Sequence, residues 1–212
     1  MNANHNTAPV TATSSGMSLD QQLAAFRHRR FLAMPLAGCL VWIALILTGL
    51  FANAQAQVMA VFIGTGSIVY IAMGIAKLTG ENVKFQRKQQ RNFFDTLFLS
   101  TVGMSFLVYA IALPFFMQNY RALPFGVAVL AGLMWLPTAV LIKHWIGIFH
   151  AVVRTVLCTA AWLLAPEQSF VLQPVIVVAV YLVTIVVLEQ RWKKLSRTKA
   201  FEADAQVALQ AA

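Results

Sequence analysis

Residues 31–76 read FLAMPLAGCLVWIALILTGLFANAQAQVMAVFIGTGSIVYIAMGIA, and none of these side chains is charged. A helix that crosses a membrane needs about 20 mostly apolar residues, so this stretch is too long for a single span. The polar sequence NAQAQ at 53–57 divides it. We therefore predict two consecutive transmembrane helices, at 31–52 and 58–76.

The rest of the chain repeats this pattern of apolar stretches between short polar or basic segments. A basic loop runs from Lys77 to Arg91. Four further spans are predicted at 95–117, 123–142, 145–165 and 170–188. Pro137 lies in the last third of the second of these spans and predicts a kink there. The fold class is therefore all-α, a polytopic integral membrane protein whose domain 31–188 is a bundle of six transmembrane helices.

The composition agrees with a membrane protein. The chain is 59% hydrophobic and 11% charged, whereas soluble domains are about 45–50% apolar and about 25% charged. A soluble protein with this balance would expose large apolar patches. The formal net charge of +9 comes from residues at the ends of apolar stretches rather than from one basic stripe. We therefore expect a lipid bilayer, and no nucleic acid, as its partner.

The basic residues also predict the orientation. With a cytoplasmic N-terminus, all of the 16 Lys and Arg residues except Arg121 and Arg154 fall on the cytoplasmic side or at its edge, as the positive-inside bias requires. They are Arg27, Arg29, Arg30, Lys77, Lys84, Arg87, Lys88, Arg91, Lys143, Arg191, Lys193, Lys194, Arg197 and Lys199. The chain also lacks an N-x-S/T glycosylation acceptor. We predict a bacterial inner-membrane protein with both termini in the cytoplasm.

Both ends of the chain are expected to lie outside the bilayer. Residues 1–17 are small and polar, which predicts a disordered tail. Ser18 and Gln21 fit a capping box. Residues 18–30 then predict an amphipathic basic helix at the membrane surface, near anionic lipid head groups; a frayed lead-in to the first span is the alternative. Residues 189–212 are predicted to form a basic cytoplasmic tail.

The first span also has a second interpretation, as a lipoprotein signal. Arg29-Arg30 precedes an apolar run that contains Leu-Ala-Gly-Cys at 36–39, and cleavage there would remove everything before Cys39. The apolar run continues from Leu40 to Phe51 without the polar start of a mature lipoprotein. A plain first span is therefore favoured.

Arg154 is the residue that most clearly indicates a function. It lies near the middle of a predicted span, where an arginine costs about 2.5–3.5 kcal/mol on insertion scales. His150 precedes it by one helical turn and shares its face. At about 1.5 Å per residue, His150 lies about 7 Å and Arg154 about 13 Å from the cytoplasmic end of the helix. We expect the small and polar face of this helix to turn inward and its branched face to turn outward. The inward face is Gly147, His150, Ala151, Arg154 and Cys158, and the outward face is Ile146, Phe149, Val153, Val156 and Leu157.

Two interpretations of Arg154 stay open. In the functional one, Arg154 binds an anion or a carbonyl-rich substrate at the midplane, and His150 titrates or hydrogen-bonds beside it. In the structural one, Arg154 donates to carbonyls and hydroxyls and fixes the helices. No carboxylate lies at its depth, because Asp95 and Glu189 are at the cytoplasmic edge. The candidate hydroxyls are Thr48, Thr65, Ser67, Ser100, Thr101, Ser105 and Thr184.

Asp95 and three glycines are further candidate positions. Asp95 opens the third span, where it either stabilises the helix N-terminus by about 0.3–1 kcal/mol or takes part in ion coupling or gating. Gly64 and Gly66 in the second span, and Gly132 in the fourth, predict close helix packing. For 64–67 the alternative is a locally unwound helix that exposes its carbonyls to a substrate.

The sequence carries no recognisable catalytic, metal-binding or cofactor-binding motif, and we expect neither a metal nor a cofactor. The leading hypothesis is a small permease or channel-like protein for a small anionic or polar solute, with Arg154 and His150 as binding residues. A non-transporting scaffold, assembly or lipid-interacting protein is the alternative. An intramembrane enzyme with Ser67 as nucleophile is less favoured. Six helices are few for an alternating-access transporter, so a homodimer is considered, although no particular residue indicates one.

Overall fold

The computed structural model describes residues 18–81 and 93–210, and only the backbone of Ser105 and of residues 199–200 and 202–210. The predicted tail 1–17 and most of the predicted basic loop lie outside this part of the chain. Within it every regular element is helical. The elements are α1 (Leu19–Arg27), α2 (Ala33–Phe51), α3 (Ala54–Thr79), α4 (Phe93–Leu107), α5 (Tyr109–Gln118), α6 (Ala122–Gly132), α7 (Trp135–Ile142), α8 (Ile146–Leu164), a 3-10 turn (Pro166–Gln168) and α9 (Ser169–Gln210).

Six segments of these helices are long and apolar enough to cross a membrane. They are Ala33–Phe51, Ala54–Thr79, Phe93–Gln118, Ala122–Ile142, Ile146–Leu164 and Pro166–Thr198. The prediction of an all-helical chain with six such segments is confirmed, and it indicates a multi-pass membrane protein. The cytoplasmic placement of both termini stays a prediction.

The boundary between the first two spans differs from the sequence-based expectation. The second span begins at Ala54 rather than at 58, because Asn53 caps it: its side-chain oxygen accepts a hydrogen bond from Ala56 N at 2.9 Å. Gln57 lies in the first turn and donates to the carbonyls of Gly49 and Ala52. The polar residues that suggested a loop therefore satisfy the free backbone groups of two helix ends.

Two of the spans are each broken into two helices. Leu133 and Met134 separate α6 from α7. Pro137 explains this break, because it has no N–H to donate to the carbonyl of Leu133 and its ring crowds that carbonyl. The predicted kink is thus confirmed as a break. A second break lies at Val108, between α4 and α5. No feature of the sequence predicts it, and Pro114 lies too far along α5 to cause it.

The last helix is much longer than the predicted span. α9 has 42 residues and continues from Ser169 to Gln210, whereas the sequence predicts a tail at 189–212. The sequence after Leu188 is rich in Glu, Gln, Lys, Arg and Ala, which are good helix formers, so the helix has no local reason to stop at the end of the apolar segment.

The short helix α1 packs against the bundle. The predicted capping box is confirmed, since Gln21 N donates to Ser18 Oγ and Ser18 N donates to Gln21 Oε1. Phe26 is 1% exposed, and its ring lies 4.9 Å from that of Phe31. Arg27 Nε donates to the carbonyl of Leu141 at 3.0 Å. α1 therefore covers the ends of the neighbouring helices.

Charged side chains hold the chain between α1 and α2. Arg29 forms a two-bond ion pair with Asp95, and Arg30 forms another with Glu189, at 2.8 and 2.9 Å. The hydrogen bond to Glu189 raises the pKa of Arg30. Glu81 accepts hydrogen bonds from the backbone N–H groups of Leu32 and Ala33, at 2.8 and 3.1 Å, and so caps α2. The binding of anionic head groups by this basic region stays a prediction.

Candidate functional site

One face of α8 is buried against the rest of the bundle. Its buried residues are Ile146, Gly147, His150, Ala151, Arg154 and Cys158. This set contains the whole predicted inward face. It also contains Ile146, which the sequence predicts to face outward. Val156 and Leu157 on the other face are exposed, at 60% and 44%, as expected of side chains directed toward lipid.

His150 and Arg154 are hydrogen-bonded to each other. Arg154 Nη1 lies 3.3 Å from His150 Nε2, and His150 Nδ1 lies 2.9 Å from Thr184 Oγ1. A guanidinium group can only donate, so Nε2 accepts and the imidazole proton resides on Nδ1. Nδ1 then donates to Thr184, whose hydroxyl donates to the carbonyl of Val180 at 2.8 Å. This geometry fixes His150 as one neutral tautomer.

Aromatic rings enclose the pair. The Arg154 guanidinium carbon lies 5.4 Å from the ring centroid of Trp42 and 5.6 Å from that of Tyr181. Trp135 stacks on the His150 ring with centroids 4.4 Å apart, and Tyr181 approaches it edge-on at 4.8 Å. Desolvated cation–π contacts are worth about 2 kcal/mol each, so they offset part of the cost of burying the guanidinium group. Arg154 is 1% exposed and His150 is 0% exposed.

Part of the guanidinium group is nevertheless left without a partner. Arg154 Nε and Nη2, and the indole Nε1 of Trp135, form no hydrogen bond with the described residues. Nε and Nη2 point in the same direction and form the two-donor edge of arginine that matches two oxygens of a planar anion. Buried donors are normally paired. Among the described residues, these two donors are therefore buried and unpaired.

Thr184 is the one described candidate hydroxyl that contacts the pair. It binds His150, while the other described candidates donate elsewhere. Thr48, Ser67, Ser100 and Thr101 bond to carbonyls three or four residues earlier in their own helices, and Thr65 bonds to Val61 O and Tyr109 Oη. The side chain of Ser105 is not among the described ones. The described part of the protein thus supplies Arg154 with one hydrogen bond, aromatic faces and no carbonyl or carboxylate.

Three glycines lie at close contacts in the bundle. A Cβ built on Gly132 would lie 3.1 Å from Cδ and 3.3 Å from Nε of Arg154, so Gly132 packs on this side chain. A Cβ on Gly147 would lie 2.6 Å from the carbonyl of Trp135, which shows how closely α7 approaches α8. A Cβ on Gly64 would lie 3.1 Å from Val41, so Gly64 lies where α3 approaches α2.

Gly66 has a different environment from the other two candidate glycines. A Cβ there would meet no atom of the described chain within 4 Å, so the close contact predicted for Gly66 is not made in this part of the protein. The reason is its direction: Gly64 turns toward α2, and a residue two positions later lies about 200° around the helix.

A cavity of about 730 Å³ lies at the end of the bundle that α1 covers, and Trp135 belongs to its wall. Most of the wall is apolar, with charged groups close to α1. The apolar residues include Phe31, Met34, Phe98, Leu188 and Trp192, and the charged ones are Arg29, Arg30, Glu81 and Asp95. Trp135 therefore has the cavity beside it and also stacks on His150.

Asp95 lies at this cavity and not beside Arg154. Its carboxylate is engaged by Arg29, and it lies in the first turn of α4, where a negative charge is favourable. Its role in coupling or gating stays a prediction. Such a role would act through the ion pair with Arg29 and not through Arg154. Among the described residues, no group of three His, Cys, Asp or Glu side chains is arranged to hold a metal ion.

A second buried polar group lies where the first part of α9 packs against the C-terminal part of α8. Gln173 is 0% exposed, and its Nε2 donates to the carbonyl of Cys158 at 3.0 Å. Its Oε1 and the hydroxyl of Ser169 have no partner among the described side chains and backbone groups. A line of buried polar residues thus follows α9 from Ser169 through Gln173 to Thr184.

A protein-family model matches most of the chain. Residues 20–191 match the model of a family described as "Family of unknown function (DUF7010)". The chain belongs to this family. The matched region begins in α1 and ends just after Glu189, so it contains both partners of the Arg30 ion pair as well as the whole site. No curated protein and no solved structure matches the chain.

Proposed function

We propose that this DUF7010 member is a small permease or channel-like membrane protein that moves a small anionic or polar solute past Arg154. The observation that carries the proposal is the unpartnered Nε–Nη2 edge of a 1% exposed arginine near the middle of a spanning helix. Intramembrane ionisable residues are functional-site candidates by default. An edge that lacks an acceptor among the described residues gains most from an external one.

In this proposal the solute enters through the cavity at the end of the bundle that α1 covers. This cavity is large enough for a small solute, since binding sites usually measure about 300–1,000 Å³. Trp135 lies between the cavity and His150, at the start of α7. α7 is only 8 residues long and is bounded by the break at Leu133–Met134 and by Lys143 in a left-handed conformation. A small movement of α7 would therefore carry Trp135 away from the His150 ring.

A flux measurement on the purified protein in liposomes tests the proposal. Stopped-flow light scattering reports the uptake of any permeant solute, so it can screen a panel before the substrate is identified. The panel is potassium nitrate and potassium pyruvate with valinomycin, together with urea and glycerol. We expect at least one solute to enter faster than in protein-free liposomes. We also expect Arg154→Gln to remove this increase.

The matched control is Arg121→Gln, the same substitution at an arginine that is ion-paired with Glu167 at the opposite end of the bundle. It should leave the flux unchanged. Rates equal to those of protein-free liposomes for the whole panel, or an undiminished rate in Arg154→Gln, would contradict the proposal.

The tight enclosure of the site favours a second candidate, a non-transporting scaffold or assembly protein. His150, Arg154 and Cys158 are at most 1% exposed, as in a packed core. Intact cells with a Cys39→Ala background can be treated with a membrane-impermeant methanethiosulfonate. Protection of Cys158 in cells and also in inverted vesicles would favour the scaffold.

For the enzyme alternative no described contact joins Ser67 to His150, and Ser67 donates to Gly64 O at 2.8 Å.

A further inference from the structure

We propose that Arg154 and His150 form a proton-coupled carboxylate site, in which the Nε–Nη2 edge of Arg154 binds the two oxygens of a carboxylate and His150 takes up one proton with it. The inference rests on the proposed function and narrows its substrate class to small carboxylates that travel with a proton.

The unpartnered atoms select the class of ligand. Arg154 offers two parallel donors, Nε and Nη2, and its third nitrogen is already bound to His150. Two parallel N–H groups match the two oxygens of a carboxylate, whereas a spherical halide can use such a fork only as a point charge. Trp135 Nε1 is a further donor next to His150 without a partner among the described residues. The Trp42 and Tyr181 rings lie beside the guanidinium group and supply no acceptor for Nε or Nη2.

The hydrogen-bond relay explains why a proton accompanies the anion. His150 Nε2 accepts from Arg154 and Nδ1 donates to Thr184, so a second proton has only Nε2 as its site. With the edge empty, a proton on Nε2 would place two positive charges about one hydrogen-bond length apart in a buried environment, which is very unfavourable. A carboxylate on the edge neutralises the guanidinium charge, and the proton on Nε2 then no longer faces an uncompensated positive charge.

The described surroundings of His150 contain no other group that would reverse this coupling. Of the described residues on the helices around it, α9 contributes Tyr181 and Thr184, and α7 contributes Trp135. The only described charged group facing His150 is Arg154. The carboxylates of Asp95 and Glu189 are engaged by arginines near α1. Carboxylate binding and proton uptake are therefore linked, and each must strengthen the other by the same factor.

Formate binding to the detergent-purified protein tests this coupling, because formate is the smallest carboxylate. Its apparent Kd can be obtained from the rise in the thermal unfolding temperature with formate concentration, at several values of pH between 5.5 and 8. If one proton enters with each formate, the Kd rises about tenfold per pH unit in the range where free His150 is neutral. Chloride at the same ionic strength should give a much smaller thermal shift and no such slope.

Two variants test the separate roles of His150 in proton uptake and of Arg154 in carboxylate binding. His150→Gln keeps an acceptor for Arg154 and a donor for Thr184 but cannot titrate, so formate should still bind, with a Kd independent of pH. Arg154→Gln should lose formate binding, while Arg121→Gln should retain both the affinity and the slope. The wild-type pH series itself needs no variant, so the test stands even if a substituted protein unfolds.

The outcomes separate this inference from the function on which it rests. A wild-type Kd for formate that does not change with pH would refute the proton coupling and leave an anion-binding Arg154. Absence of formate binding together with Arg154-dependent flux of another solute would refute the carboxylate site alone. Absence of both binding and flux would overturn the transport proposal as well.

Discussion

Gly132→Ala tests the placement of a helix backbone directly against the Arg154 side chain. The new methyl carbon would lie 3.1 Å from Cδ and 3.3 Å from Nε of Arg154, a few tenths of an ångström closer than an ordinary carbon contact. Overpacking of this kind costs about 1–3 kcal/mol. Replacing a helical glycine by alanine returns about 1 kcal/mol through backbone entropy. We expect a net loss of about 0–2 kcal/mol in the free energy of unfolding.

The effect on the site should be larger than the effect on stability. Since the methyl group lies against Nε, Arg154 must shift, and its two-donor edge loses its position. We therefore expect formate affinity to fall at least tenfold in Gly132→Ala, while the unfolding temperature changes only slightly. Thermal unfolding in detergent, with and without formate, measures both quantities on the same sample.

Two other glycines serve as controls at either extreme. Gly66→Ala adds a methyl group with no described atom within 4 Å and should leave both stability and affinity unchanged or slightly improved. Gly147→Ala brings the methyl group to 2.6 Å from the Trp135 carbonyl, a backbone atom that cannot rotate away, and should be the most destabilising of the three. Unchanged formate binding in a folded Gly132→Ala protein would refute the described placement of Arg154.

Three further predictions concern the periphery of the site. Glu81→Gln removes the charge that caps α2 and should destabilise the protein by about 1 kcal/mol, measured by thermal unfolding; an unchanged unfolding temperature would show that this cap contributes nothing. Burial, and secondarily the charge of Arg191, lower the pKa of His144, so its stabilising contribution is present above the unfolded value of about 6.5 and is lost as the pH falls below it. The unfolding temperature of the wild type should therefore fall relative to His144→Gln between pH 7.5 and 5.5, and parallel curves would contradict this. In a Cys39→Ala background, adding Trp135→Ala should make a membrane-impermeant thiol reagent label Cys158 faster, because Trp135 separates the cavity from the site. Equal labelling rates with and without Trp135→Ala would show that another group blocks access to Cys158.

The six spans and the buried face of α8 could be predicted because they depend on local patterns. Apolar length alone indicates a spanning helix, and the 3.6-residue period places His150, Arg154 and Cys158 on one side. Ile146 departs from the prediction because it lies four residues before His150, so the same period places it on the buried side of α8. The start of the second span differs from the prediction because a polar residue at a helix boundary, here Asn53, can cap a helix as easily as it can lie in a loop.

The aromatic enclosure could not be predicted from the sequence. Trp42, Trp135 and Tyr181 lie on three different helices, and only the packing of those helices brings them to Arg154 and His150. The sequence offers one weak signal of it. Trp42 and Trp135 occur well inside their spans, whereas tryptophans in membrane proteins concentrate at the interfaces. A tryptophan at mid-span therefore requires a partner, here a cation and an imidazole.

The unbroken course of α9 gives it the properties of a lever. One continuous helix carries Thr184, which holds His150, and continues through 26 more residues to Gln210, a distance of about 39 Å at 1.5 Å per residue. A tilt of roughly 5° about Thr184 would displace the far end of such a helix by about 3 Å. Sub-ångström changes at the imidazole are thereby magnified severalfold at the C-terminal tip, where a spin label or fluorophore would record them without touching the site.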